Sequence, residues 1–211
     1  MDIIKNVPLF KGIDDLESML DCLGGKFKNF LKGDIILMAG SDIFNVGIVT
    51  KGLVHIVKDD ANGNRTLIEA VGRCETFAEA FCCVGIKSSP VSIFAAEDSE
   101  VLFIDYERII RPCAKFCKFH QKLIKNMLGV VAKKNLYLQN RMEIMAIKSI
   151  RGKVLHYLQS FEDKVIKIPF DREGMAYYLS VDRSALSHEL MRMKRDGLID
   201  YRKNEFRLIN S

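Results

Sequence analysis

The sequence predicts an α+β chain in three successive parts. These are an N-terminal antiparallel β-barrel or jelly roll over residues 1–112, one long helix over 113–145, and a C-terminal helix-turn-helix with a β-hairpin wing over 146–211. Three observations carry this expectation. Between Phe27 and Asp105 short β-rich runs alternate with glycine turn signals, the rhythm of a small antiparallel barrel or sandwich. Residues 113–145 hold no proline and a single glycine. The stretch from Asp171 to Ile199 then reads as two short amphipathic helices joined by a tight turn.

In chain order, the opening run from Val7 to Ile13 leads into a helical stretch over Asp15–Leu23. The barrel follows, with turn signals at Lys32–Asp34, Lys51–Gly52, Asn62–Gly63 and Val71–Gly72. Asp60–Asn64 joins the runs Leu53–Lys58 and Arg65–Val71 as a hairpin. Pro112 marks the start of the long helix. Along it, Ile124, Met127, Val131, Leu138 and Met145 follow a near-heptad spacing broken by Lys134 and Arg141, while Phe116, Leu123, Val130 and Tyr137 form a neighbouring stripe. Two stripes suit a helix that packs on its own barrel and on a second copy of itself. Ile124, Met127, Val131 and Leu138 are therefore the expected dimer contacts.

Beyond it, Arg151–Leu158 is predicted helical and Val165–Pro169 a short strand. Asp171 and Asp182 stand as N-caps of the two helices that follow. Met175, Ala176, Leu179, Val181, Leu186, Leu190 and Met193 make the buried stripe of the pair. Arg183, Ser184, Ser187, His188, Met191, Arg192 and Arg195 are left on the outer face, a surface suited to the major groove of DNA. After Gly197, two apolar-alternating runs around Lys203–Asn204 read as the hairpin wing.

Composition narrows the function classes. The 211 residues carry a net charge of +5, and residues 151–211 hold 12 Lys and Arg against 9 Asp and Glu, an excess denser at the C-terminal end. Phosphate binding is compatible with that bias but does not follow from it. No apolar run approaches a membrane span and the start lacks a signal peptide's apolar region, so a cytoplasmic protein without membrane contact is expected. The six cysteines have no zinc-finger spacing and are expected as free thiols. Neither a phosphate loop nor a nucleophile elbow is present, and the chain is expected not to be an enzyme.

The order of helix, Ser180–Val181 turn, Arg183–Ser187 helix start, Gly197–Ile199 strand and wing closely resembles the winged helix-turn-helix of the cyclic-AMP receptor protein/FNR family of bacterial transcription regulators. Leu31–Ile35, Val49–Val57, Asp60–Arg65 and Ala95–Ile104 match the same family's cyclic-nucleotide-binding-like barrel, so the resemblance spans nearly the whole chain. It implies a homodimeric, effector-controlled regulator. Double-stranded DNA with a near-palindromic operator, a second copy of the chain and RNA polymerase are the implied partners. By position, Arg183, Ser184 and His188 are implied base readers, and Arg172, Arg192, Arg202 and Lys203 phosphate contacts.

An effector segment comprising Ala78, Glu79, Pro90 and Val91, with Leu138 and Gln139 from the long helix, is also implied. Here the chain departs from members that bind cyclic AMP. Ala78 replaces their glycine before Glu79, and Pro90 stands where their arginine pairs with the cyclic phosphate. A buried phosphate without its cationic partner is costly, so the expected effector is a small molecule other than cyclic AMP. With only Cys22 before residue 74, the family's iron–sulfur mechanism is not expected either. Cys113, Cys117 and His120 share a helix face that haem or zinc could use, with Cys82–Cys83 as a further source of ligand, though buried cysteines on such a face ordinarily serve as small apolar residues. Two alternatives stay open: a DNA binder that has lost its ligand, and a ligand, metal or haem sensor acting through protein contacts.

Overall fold

The chain divides into two compact units, Met1–Ala132 and Lys133–Ser211, with the division inside its longest helix. The computed structural model describes residues 2–60, 64–111, 119–161, 163–169 and 171–209.

The first unit opens with helix α1 (Asp2–Lys5) and helix α2 (Leu16–Cys22). Asp15 caps α2, its carboxylate accepting from the Ser18 amide at 3.1 Å. Eight strands follow: β1 (Lys26–Phe30), β2 (Ile35–Leu37), β3 (Asn45–Lys51), β4 (Val54–Asp59), β5 (Arg65–Val71), β6 (Thr76–Phe77), β7 (Ser92–Ala95) and β8 (Ser99–Asp105). Helix α3 (Glu79–Cys83) sits between β6 and β7, and α4 (Tyr106–Ile110) follows β8. The strands form two four-stranded antiparallel sheets, ordered β1-β8-β3-β6 and β2-β7-β4-β5. This is a jelly-roll-like pair, and among the described residues no strand pairing joins the two sheets.

Apolar residues of both sheets, among them Val46, Ile48, Val54, Ile56, Ile93 and Leu102, share one core with Phe10, Met19 and Leu23 from the N-terminal helices. Gly47 lies in β3 because a Cβ there would overlap the Phe77 ring. The β4–β5 hairpin is the one expected. Its ends are tied by the Asp60 carboxylate, which accepts from the Asn64 amide at 2.8 Å, while its tip at Ala61–Gly63 lies outside the described residues.

Helix α5 (His120–Ala146) corresponds to the long helix. The expected start at Pro112, and the roles considered for Cys113, Phe116 and Cys117, fall outside the described residues. Which side of α5 is free differs from expectation at one position. Met127 is 4% exposed and, with Leu123, belongs to the core of its own unit, and Val131 is half-buried against the same core. Leu128 is 67% exposed instead. The reason is local: with apolar residues at both 127 and 128, spacing alone leaves the direction of the inner face undetermined by about 100°.

In the second unit, Ser149 caps helix α6 (Ile150–Gln159), accepting from the Gly152 amide at 3.0 Å. Strand β9 (Ile166–Lys167), helices α7 (Arg172–Leu179) and α8 (Arg183–Arg195), and the hairpin β10 (Ile199–Arg202) and β11 (Glu205–Leu208) complete it. The strands make one antiparallel sheet, ordered β10-β11-β9. Ile144, Val154, Leu158, Met175, Leu179, Leu186, Leu190, Met193 and Phe206 close its core, which contains the whole predicted stripe except Val181, half-buried beside it. Among the described residues no helix is long and apolar enough to cross a membrane.

Candidate functional site

Helices α7 and α8 are set by side chains at three junctions. The Asp171 carboxylate accepts from the Gly174 amide at 2.8 Å and starts α7. Ser180, with φ of +51°, ends it in the left-handed region. The buried Lys153 amine donates to the carbonyls of Leu179 at 3.0 Å and Ser180 at 3.4 Å, placing a cation where a helix leaves carbonyls unpaired. Asp182 then starts α8. Its carboxylate accepts from the Ala185 amide at 2.9 Å and the Ser184 hydroxyl at 2.5 Å, and these hydrogen bonds, the hydroxyl's first, hold its pKa below the ordinary value.

From that start, α8 buries Leu186, Leu190 and Met193 and turns Arg183, Ser184, His188, Met191, Arg192 and Arg195 outward. Among the described residues no hydrogen bond or ion pair engages the Arg183 guanidinium or the His188 ring. The acids near this face are shared with Arg151: Glu189 also lies 3.9 Å from Arg192, and Asp196 3.9 Å from Arg195. Arg151 holds the Glu189 carboxylate at 2.7 Å and that of Asp196 at 2.8 Å, and Glu189 is only 16% exposed. The outward face of α8 therefore shows cations, short polar groups and one methionine, a chemistry suited to phosphates and base edges. Lys153 and Arg151 were not legible as positioning residues, since their partners lie 26 to 45 positions away.

The wing turns at Lys203, whose φ is +55°, and Asn204 fastens it to β9 by accepting from the Ile168 amide at 2.9 Å and donating to the Ile168 carbonyl at 3.1 Å. Arg202 and Lys203 are exposed at the tip. Arg172, expected at a phosphate, is engaged otherwise. Its guanidinium lies 5.2 Å from the Tyr201 ring centre and 5.6 Å from that of Phe206, and donates to the Lys203 carbonyl at 3.4 Å. Burial pulls its pKa down. It ties α7 to the wing.

In the first unit the segment around α3 has its own constraints. Ala78 adopts φ of +64°, the left-handed conformation that glycine takes at least cost. Glu79 and Val91 are buried, and Pro90 is exposed. The Ser89 hydroxyl is committed to its own turn, donating to the Val91 carbonyl at 2.6 Å. Burial foremost, then the neighbouring Cys83 and Glu79, pushes the Cys82 thiol up to about 11, whereas Cys83 is exposed. The Tyr106 phenol is pushed up to about 12 by burial and by its hydrogen bond with Cys83. Leu138 and Gln139 belong to the second unit and are exposed.

Among the described residues no group of three or more His, Cys, Asp or Glu side chains is arranged to hold a metal ion. His120 is buried with Nε2 3.7 Å from the Cys22 sulfur, and the two cysteines considered with it lie outside the described residues. His55 sits half-buried in β4, and His156 lies 3.5 Å from the Glu143 carboxylate.

Residues 27–115 match the cyclic nucleotide-binding domain family. No curated protein matches the sequence significantly. Solved structures similar to the chain include CprK in complex with OCPA, at 15% identity over 94% of this chain and 92% of that one with a TM-score of 0.66. DNR from Pseudomonas aeruginosa is 17% identical over 99% and 93% with a TM-score of 0.53. The catabolite activator protein of Thermus thermophilus is 18% identical over 95% and 93% with a TM-score of 0.50. Residues 27–115 thus match a cyclic nucleotide-binding domain, and the chain as a whole shares the fold of these solved structures.

Proposed function

We propose that the chain is a homodimeric, effector-responsive transcription regulator that reads a near-palindromic DNA operator with α8, residues 146–211 acting as a winged helix-turn-helix. The observation that carries this reading is the outer face of α8, where, among the described residues, no hydrogen bond or ion pair engages Arg183 or His188, and where Arg151 takes the closer hold on Glu189. Arg183 at the start of the helix suits bidentate donation to the O6 and N7 edge of guanine, with Ser184 and His188 as further readers. Arg192, Arg202 and Lys203 contact phosphates, which fix position without reading sequence. An effector in the first unit acts by population shift, favouring one disposition of the reading helices to the extent that it binds that state more tightly. RNA polymerase is the further partner.

Cyclic AMP is not that effector. Pro90 offers neither charge nor an amide donor where the phosphate would sit, and the Ser89 hydroxyl beside it is already spent on Val91.

Selection of bound sequences from a random DNA pool tests the whole reading. An inverted repeat with half-sites about 34–36 Å apart is expected to be enriched; a pool without any enriched sequence would overturn it. In the same preparation, millimolar cyclic AMP is expected to leave the melting temperature unchanged. A ligand at a hundred times its dissociation constant would contribute about 2.7 kcal/mol, and a clear rise would sink the pocket argument.

A further inference from the structure

The free side of α5 carries a repeat that the sequence spacing had hidden. Ile124, Leu128, Val131, Asn135, Leu138, Met142 and Met145 are separated alternately by four and three residues, and all are exposed except the half-buried Val131. In heptad terms Ile124, Val131, Leu138 and Met145 take position d, and Leu128, Asn135 and Met142 take position a. Six of the seven are apolar. Asn135, at the centre, is the exception, and among the described residues its side chain makes no hydrogen bond.

A strict seam of this kind fits a second helix with the same repeat. Orientation follows from its flanks. In a parallel pair each g position faces the e position of the next heptad on the other helix, so Lys134 meets Gln139 of the partner subunit and Arg141 meets Ala146 of the partner subunit, and no like charges oppose one another. An antiparallel pair sets g against g, bringing the cations Lys134 and Arg141 together, and faces Asn135 with an apolar d residue. Only the parallel, in-register pair lets Asn135 meet its own kind, where one amide donates to the carbonyl oxygen of the other.

We propose that Asn135 pairs with Asn135 of the partner subunit across a parallel α5 seam, and that this polar pair fixes the register of the dimer at a cost in its affinity. The inference rests on the homodimer reading above. It adds the residue that sets orientation. A buried amide stranded against an apolar side chain is penalised, whereas two amides, or two leucines, satisfy each other.

Subunit exchange of the full-length protein tests it. Wild-type and Asn135→Leu chains are mixed, equilibrated and weighed by native mass spectrometry, beside sedimentation of each alone. We expect both to be dimers, with Asn135→Leu about tenfold tighter or more. The mixed dimer should fall several-fold below the statistical share of roughly half that indifferent subunits give. Statistical mixing would overturn the Asn135 pair and leave the dimer standing. A wild-type monomer at micromolar concentration would overturn both. Asn135→Gln, which keeps the amide on a longer arm, should mix poorly with Asn135→Leu as well; free mixing there also counts against the pair.

Discussion

Arg183 and Arg172 show how two arginines with the same local look come to different ends. Arg183 leaves the capped start of α8 with no hydrogen bond or ion pair among the described residues, and Arg172 is laid over Tyr201 and Phe206. Arg183→Ala is expected to cost about 1–3 kcal/mol per half-site and to relax preference at one symmetric pair of bases, because a bidentate guanine contact is lost. Arg172→Ala should instead lower the thermal stability of the second unit by about 0.5–2 kcal/mol through lost cation–π and packing contacts, with little change in the salt dependence of binding. Equal, uniform weakening of DNA binding by both, with stability intact, would contradict these assignments. Cysteines divide in the same way. Cys82, held in the thiol form by burial up to about pH 11, should resist iodoacetamide at pH 7.5, while its exposed neighbour Cys83 is alkylated. Peptide mass spectrometry after a timed reaction reads the difference, and comparable modification of both would contradict the burial of Cys82.

At the scale of elements, the caps do most of the placing. Asp171 and Asp182 were legible as N-caps because a cap acts within three residues, and each was found accepting from the expected amide. The depressed pKa of Asp182 gives a pH signature. Because its folded value lies below the ordinary 3.8, its charge stabilises α8 above about that pH, and the contribution is lost as pH falls through the lower folded value. Asp182→Asn retains an oxygen for the Ala185 amide but loses the charge. The variant should therefore melt below wild type at pH 7, and the gap should close progressively in acid, below about pH 3.8. A gap that persists at the lowest pH would mean the carboxylate's charge has no part in the cap. The long helix was harder to read. Its length and apolar character were evident, but the inward direction was fixed by the core that takes in Leu123 and Met127.

For the whole molecule, the proposed α5 seam makes the assembly testable. Leu128 is 67% exposed and, among the described residues, belongs to neither core, so a charge there is expected to be tolerated by the monomer and not by a symmetric dimer. Leu128→Glu is expected to keep the melting behaviour of a folded chain while shifting sedimentation to the monomer and abolishing tight operator binding. An unchanged dimer would move the interface elsewhere. The same reasoning marks what was missed at first. Placing Met127 in the seam concealed the regular alternation that runs through Leu128 and Met142, and with it the central Asn135.

By itself the sequence determined the features whose physics is local. These are the order of β-rich half, long helix and paired short helices, the hairpins and the aspartate caps, since each follows from residues a few positions apart. The tertiary structure decided the rest: the two jelly-roll-like sheets, the packing of Arg172 on Tyr201 and Phe206, the ion pair of Arg151 with Glu189, the Lys153 amine at the end of α7, and the exposed side of α5. Each depends on partners tens of residues away. Burial and charge pairing choose among faces that periodicity leaves equivalent, and that choice exists only once the chain has closed on itself.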